Sequence, residues 1–273
     1  MYKRMNEQLQ KEGAMALVTG ASSGIGLAYA RELARRGYDL LLVSNEQEQI
    51  GTVAEELAAA FGVKTIPLCM DLARSEAARE LYEYCEREKL QIGILVNNAG
   101  IFFFDDLTEV APERIETMLL LHIRTVTLLC RYFGAAMKSR RAGYILNMSS
   151  LSAWTPAPGI SVYAASKSYI RKFSQMLRYE LHQYGVGVTT VCPGAIATGL
   201  YNLSDYYQRL ALRLGVMMKP ERLARKGLRA MFARRDYILP GAVNRFFVLA
   251  LYLLPVQLIY YIKEHTKLYR YGR

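Results

Sequence analysis

Short apolar runs that alternate with helix-patterned stretches predict an α/β protein built on a doubly wound parallel sheet, and two further observations agree. The 273 residues are 52% hydrophobic and 22% charged, a composition that supports a substantial core and excludes wholesale disorder. No linker-like stretch interrupts residues 14–240, so the sheet belongs to one domain.

The elements follow in order. An apolar run at 14–19 ends in Gly20 and leads into a helical pattern over 25–36. A second run at 39–43 precedes a helix-like stretch through Phe61. Then come a strand at 64–68, a helix near 75–88 and a strand at 92–96. A long helical segment at 112–138 precedes a strand at 144–148, and a helix at 162–184 precedes a strand at 186–191. A basic helix opens at Lys219-Pro220-Glu221, and residues 237–239, closed by Pro240 and Gly241, read as a last strand. The count is about seven strands, alternating with helices as parallel βαβ units do.

The first strand-to-helix turn reads Thr19-Gly20-Ala21-Ser22-Ser23-Gly24-Ile25-Gly26. Glycines allow a tight turn and close approach to a pyrophosphate seated on a helix N-terminus. The spacing is G-x-x-x-G-x-G, not the G-x-G-x-x-G fingerprint, and a turn that merely needs glycine would look the same. The Gly-Lys-Ser/Thr ending of a nucleoside-triphosphate loop is missing, which argues against an ATPase.

Three more segments stand at later strand ends. Asn97-Asn98-Ala99-Gly100 follows the fourth strand. Ser150 stands thirteen residues before Tyr163, which stands four before Lys167. Cys192-Pro193-Gly194, with Thr198 four residues beyond Gly194, follows the sixth strand. Over roughly residues 14–200 the chain thereby resembles the short-chain dehydrogenase/reductase family. That resemblance implies a Rossmann-like domain in which Gly20, Ser22, Ser23, Gly24, Ile25 and Gly26 hold the pyrophosphate and neighbouring ribose. It also implies that Asp71 and Leu72 meet the adenine ring and that Asn98, Ala99 and Gly100 shape the cofactor floor. Pro193, Gly194 and Thr198 would lie against the nicotinamide half, and Tyr163 and Lys167 would touch its ribose.

In NAD-dependent relatives an acidic residue ends the second strand, accepts the ribose hydroxyls and repels a 2′-phosphate. Here Ser44 stands there, followed by Asn45 and Glu46. NADP(H) is therefore favoured over NAD(H), although the basic residues often found at the positions of Asn45 and Ser23 are missing too.

Tyr163 and Lys167, four apart, share one helix face. A phenol titrates near ~10, too high for ready proton exchange at neutral pH, and a neighbouring ammonium favours the phenolate. The resemblance assigns Ser150 to the substrate oxygen, Tyr163 to its proton, and Lys167 to tuning Tyr163 and holding the ribose. His122 stands where the family has an asparagine. It is read either as a polar substitute without separate chemistry or as a member of the proton relay.

The expected substrate lid, about residues 195–235, is aromatic at Tyr201, Tyr206 and Tyr207 and apolar through Leu212, Leu214, Val216, Met217 and Met218. Met-rich surfaces adapt to flexible apolar ligands, but these side chains fit a packed core equally well. Residues 153–158 would form the opposite wall of the cleft. The cleft then suits a bulky, lipid-like ketone or secondary alcohol.

The formal charge of +11 is uneven: residues 1–200 carry 21 basic and 20 acidic side chains, and residues 201–273 carry 14 and 4. Residues 246–262 hold no charge and lie between Arg245 and Lys263. Seventeen helical residues reach only ~25 Å, short of a ~30 Å hydrocarbon core, and Pro255 would split them into two short helices. A body at 1–241 and a helical extension at 242–273 follow. The extension is read as a flap over the cleft, a membrane-surface contact, or an oligomer contact. Without a recognition motif beside it, the basic patch gives no reason to expect nucleic acid.

Four cysteines without a CxxC pair point to reduced thiols, and three scattered histidines give no metal-ligand spacing. Met1 to Gly13 lacks an apolar core for a secretory signal, so a cytoplasmic protein, peripheral at a membrane surface, is expected. The reading reached is an NADP(H)-dependent reductase of 3-oxoacyl thioesters or 3-ketosphinganine-like ketones, assembled as a homodimer or homotetramer. A hydroxysteroid dehydrogenase, and a dinucleotide-binding redox sensor without turnover, are the rivals.

Overall fold

The computed structural model describes residues 13–155, 158–197, 217–252 and 255–265, together with Leu9 and Leu212. Its main sheet contains β1 (Met15–Thr19), β2 (Leu40–Ser44), β3 (Thr65–Cys69), β4 (Ile92–Asn97), β5 (Gly143–Met148), β6 (Val186–Val191) and β9 (Tyr237–Ile238). They pair in the order β3-β2-β1-β4-β5-β6-β9, and every pairing is parallel. Parallel strands need helices on both faces, which is why the central strands read as unbroken apolar runs. β1, β2, β4, β5 and β6 are buried along their whole length, whereas edge strand β3 is half exposed and tolerates Pro67.

Alternate side chains of each strand serve opposite cores. Val18, Leu40 and Leu42 pack with Leu33 of α1 (Gly24–Ala34), Ile50 of α2 (Gln47–Phe61) and Leu228 of α7 (Pro220–Phe232). Leu17, Leu41 and Leu95 face Leu81 of α3 (Ala77–Arg87), Phe133 of α5 (Val126–Arg140) and Ile170 of α6 (Ser161–His182). Each fully buried Leu or Ile contributes roughly 1.5–3 kcal/mol relative to exposure. Two dry cores fix the strand register, and the register fixes where the loops at the carboxyl ends emerge.

Three features differ from, or add to, the sequence reading. The helix expected over 112–138 is α4 (Pro112–Leu119) joined to α5 by a π-helical turn at Leu120–Thr125. Such turns insert one residue into the hydrogen-bond ladder and often mark functional sites. A small second sheet pairs β7 (Ala195–Ile196) with β8 (Met217–Met218). Beyond β9 the chain forms α8 (Ala242–Tyr252) and α9 (Val256–His265), interrupted at Pro255 as the proline predicts. Among the described residues no helix is long and apolar enough to cross a membrane.

Tyr29 on α1 lies fully buried against α7, at a point where a Cβ on Gly227 would stand 2.3 Å from its hydroxyl oxygen. That hydroxyl has no hydrogen-bond partner among the described residues, and burial pushes its pKa upward. An unsatisfied buried hydroxyl costs about 1–3 kcal/mol. Tyr29→Phe should therefore leave the melting temperature unchanged or raise it. Gly227→Ala should lower it, and lower it less in the Tyr29→Phe background. A marked fall for Tyr29→Phe alone in a thermal melt would show that the hydroxyl has a partner after all.

Candidate active site

The sheet order reverses between β1 and β4, so chain segments leave their carboxyl ends in opposite directions and open a crevice. Thr19 ties the two sides together. Its Oγ1 accepts from the backbone N–H groups of Asn98 (2.9 Å) and Ala99 (3.0 Å). Asn98 Nδ2 donates back to the carbonyls of Thr19 (3.0 Å) and Gly20 (3.3 Å).

On this frame the β1–α1 turn closes tightly. A Cβ at Gly26 would lie 1.9 Å from the Gly20 carbonyl oxygen, so only glycine fits there. Ser23 caps α1 without a side-chain bond, and the first turn carries no acidic residue. The unpaired N–H groups and positive end of α1 thus face the crevice, an arrangement that suits a pyrophosphate.

A groove of about 450 Å³ runs along the crevice. Gly20, Ser22, Ser23, Gly24 and Ile25 line one side, and Asn98, Ala99 and Gly100 line the floor. Ser44, Asn45, Asp71 and Leu72 line the far end. Gly26 lies under the turn and does not line it. Ser44 Oγ donates to Ser22 Oγ (2.9 Å) and accepts from the Glu46 N–H (3.2 Å). Glu46 joins Asp71 in the lining, and among the described residues no lysine or arginine does. A dinucleotide fits this donor set at its pyrophosphate. Thr198 lies outside the described residues.

The groove continues into a cavity of about 70 Å³ that shares Ile25, Asn98, Gly100 and Ile101 with it. Ser150, Tyr163 and Lys167 meet in this cavity, with Pro193 and Gly194 across from them. Ser150 Oγ accepts from the Ser152 N–H (3.1 Å) in a short helical turn, which leaves its own proton to be directed elsewhere. Tyr163 and Lys167 project from one face of α6. Lys167 Nζ donates to the Met148 carbonyl (3.1 Å) and lies 5.5 Å from the Tyr163 ring centre. Ser149 Oγ fastens α6 to β5 by donating to the Lys167 carbonyl (2.7 Å).

His122 enters from the π-helical turn, fully buried beside the Tyr163 ring. Its Nε2 accepts from the Ile101 N–H (3.0 Å), and its Nδ1 lies 2.9 Å from Ser166 Oγ. Ser166 Oγ already donates to the Tyr163 carbonyl (2.8 Å). His122 Nδ1 must then carry the proton and Ser166 Oγ must accept it, which fixes one neutral tautomer. Burial, reinforced by the Lys167 charge, holds the imidazole pKa well below its ordinary value. Both ring nitrogens are thus engaged in hydrogen bonds, to Ile101 and to Ser166.

Several side chains of the site carried no sequence signal strong enough to single them out. Phe102 packs edge-on against Tyr163 with ring centres 5.0 Å apart, and Ser166 and Ile101 are named only by their bonds to His122. The aromatic run Phe102-Phe103-Phe104, directly after Gly100, was the available clue. Asn244 of α8 stands 2.6 Å from where a Cβ on Gly194 would be, so α8 borders the cleft. None of the described residues from 153 to 158 lines this small cavity. Trp154 packs instead between Arg171 (4.0 Å) and Tyr237 (5.6 Å), because the short helical turn after Ser150 carries it outward. Of the expected lid, residues 198–211 and 213–216 lie outside the described residues.

Lys167 is buried, and burial brings its pKa from its ordinary 10.5 down to about 8. Below about pH 8 the folded protein bears the cost of a buried ammonium. Between about pH 8 and 10.5 only the unfolded chain keeps the proton, so stability recovers as pH rises. Lys167→Met should raise the melting temperature of the cofactor-free protein at pH 7, with a gain that shrinks above pH 8. A Met variant that melts lower at pH 7 would mean that the bond to Met148 outweighs desolvation.

Residues 14–205 match the family described as short chain dehydrogenase. The chain is 36% identical over 199 residues to a very-long-chain 3-oxoacyl-CoA reductase of Anas platyrhynchos, covering 70% of this chain and 62% of that one. It is 32% identical over 206 residues to the inactive hydroxysteroid dehydrogenase-like protein 1 of Homo sapiens, covering 74% and 61%. The chain thus spans less than two thirds of either relative. Among solved structures, a short-chain dehydrogenase from Sphingobium yanoikuyae in complex with NADPH superposes with a TM-score of 0.76 at 30% identity, covering 87% of this chain and 92% of that one.

Proposed function

The chain belongs to the short-chain dehydrogenase family, and from that premise we propose that it is an NADP(H)-dependent oxidoreductase acting on a ketone or secondary alcohol of a bulky, lipid-like molecule. The observation that carries this reading is the meeting of Ser150, Tyr163 and Lys167 in one cavity continuous with a dinucleotide-sized groove. When bound, the nicotinamide supplies or takes up the hydride at the substrate carbon.

The chain's own residues do the rest. Ser150, whose oxygen accepts from Ser152, turns its proton toward the substrate oxygen and polarises the carbonyl. Tyr163 delivers or removes the proton at that oxygen. Lys167, held by Met148, keeps a positive charge near the phenol and offers its remaining donors to the ribose. Phe102, edge-on to Tyr163, limits the ring's motion.

A 3-oxoacyl thioester or a 3-ketosphinganine-like ketone is the proposed substrate class, supported by the duck reductase and by the apolar residues bordering the cleft. A hydroxysteroid is the competing substrate. A protein that binds the dinucleotide without turnover is the competing class, and the human relative named inactive favours it. NADPH is the proposed cofactor, since no carboxylate ends β2. The preference is modest because no cation lines the ribose end and Glu46 does. The outer faces of α5 and α6, with half-exposed Tyr169 stacked on Phe173, are the proposed self-association surface.

Tyr163→Phe should lose at least about a thousandfold in kcat over a panel of long-chain 3-oxoacyl thioesters, ketosphinganine analogues and ketosteroids. Dinucleotide binding, followed by nicotinamide fluorescence, should persist in the variant and be tighter for NADPH than for NADH. Retained turnover would remove Tyr163 from the chemistry, and tighter NADH binding would reverse the cofactor assignment.

His122 acts as a positioning residue: its two bonds lock the loop after Gly100 to the backbone of the catalytic helix. His122→Asn, which can still accept from Ile101, should keep kcat within about tenfold and leave the pH–rate profile in place. His122→Ala should lower kcat with little change in KM. A shifted acidic limb in the Asn variant would instead assign His122 to proton transfer.

A further inference from the structure

The strongest charge asymmetry of the chain is not used by the reaction. Arg222 and Lys226 stand one turn apart on α7, and Arg245 stands on α8. Burial and then the charges of Arg222 and Arg245 lower the pKa of Lys226, which places the three cations in one another's field. No carboxylate pairs with any of them among the described residues. The two C-terminal helices leave large apolar side chains in water. Val243 and Phe246 lie one turn apart on α8, and Phe246 is 74% exposed. Leu258 and Tyr261 lie one turn apart on α9, with Tyr260 next to them. These two short helices hold five of the eleven exposed large hydrophobic residues among the described ones.

We infer that α8, α9 and the cationic side of α7 form a surface that docks on an anionic lipid bilayer beside the mouth of the cleft. Phenylalanine suits the acyl boundary, tyrosines suit the headgroup level, and arginine and lysine meet the lipid phosphates and carboxylates. A second copy of the chain fits less well, because a two-fold contact would bring the same unpaired cations face to face. The helices contain eleven and ten residues, lengths that lie on a membrane and do not cross it. Asn244, in the first turn of α8, rests against Gly194 of the cavity. Docking therefore brings the cleft to the lipid surface, where an apolar substrate partitions.

The inference is independent of turnover and is tested by binding. The full chain is floated with vesicles of phosphatidylcholine alone or mixed with phosphatidylserine. Expected is recovery with the phosphatidylserine vesicles, weakened by salt. Phe246→Ser should reduce it roughly tenfold or more. The double change Arg222→Glu and Lys226→Glu should abolish the preference for phosphatidylserine. All these side chains are exposed or half-exposed, so the melting temperature should not move and loss of binding reads the surface itself. Equal flotation of parent and variants, or no flotation with either vesicle, overturns the inference. So does a dimer, seen by sedimentation, that Phe246→Ser dissociates without lipid, since a second copy would then cover this face.

Discussion

The bonds between Thr19 and the Asn98–Ala99 backbone are the constraint on which the site depends. A parallel sheet whose order reverses between β1 and β4 must let two loops diverge at that point. Left to itself the gap would expose backbone donors and acceptors with no ladder partner. Thr19 and Asn98 satisfy those groups across the gap and so set its width. The glycine-rich β1–α1 turn sits on one bank and the loop carrying Gly100 and Ile101 on the other.

The chemistry adds buried polar groups that cost stability. Lys167 is desolvated with one backbone carbonyl as its partner, and His122 is held neutral among packed rings. The surrounding structure offsets this with dry cores on both faces of the sheet and with a second buried network. There Asn97 Nδ2 donates to Asn147 Oδ1 (2.8 Å) and Asn147 Nδ2 donates to Ser174 Oγ (2.8 Å), cross-linking β4, β5 and α6. That network stiffens the strands whose ends carry Asn98 and Ser150. Two of the buried titratable groups, Lys167 and His122, thus meet at the candidate site, beside a hydrogen-bonded frame that cross-links the strands under it.

The π-helical turn at Leu120–Thr125 carries His122 into the candidate site. The extra residue in the ladder turns His122 inward between the loop after Gly100 and α6, and its two nitrogens bridge both. Any side chain that accepts from Ile101 meets half of that requirement. The bond to Ser166 is the additional feature here, and it acts on the backbone of Tyr163, away from the reacting oxygen.

Much of this was legible in the sequence. The alternation of apolar runs and helical patterns fixed the α/β class because two-sided burial leaves a strand no polar positions. Gly20 and Gly26 stood out because a tight turn needs glycine, and Asn98, Ser150, Tyr163 and Lys167 because their order and spacing resemble the family's motifs. Charge counting located the basic C-terminal region, and Pro255 announced the break between α8 and α9. Tertiary structure alone decided which distant residues meet: Ile101 with His122 across 21 positions, His122 with Ser166 across 44, and Asn244 against Gly194. It also set Trp154 between Arg171 and Tyr237 and tied both nitrogens of His122. Local patterns record what a residue buries with its near neighbours, whereas these contacts depend on strand order and on one irregular helical turn, which leave no period in the sequence.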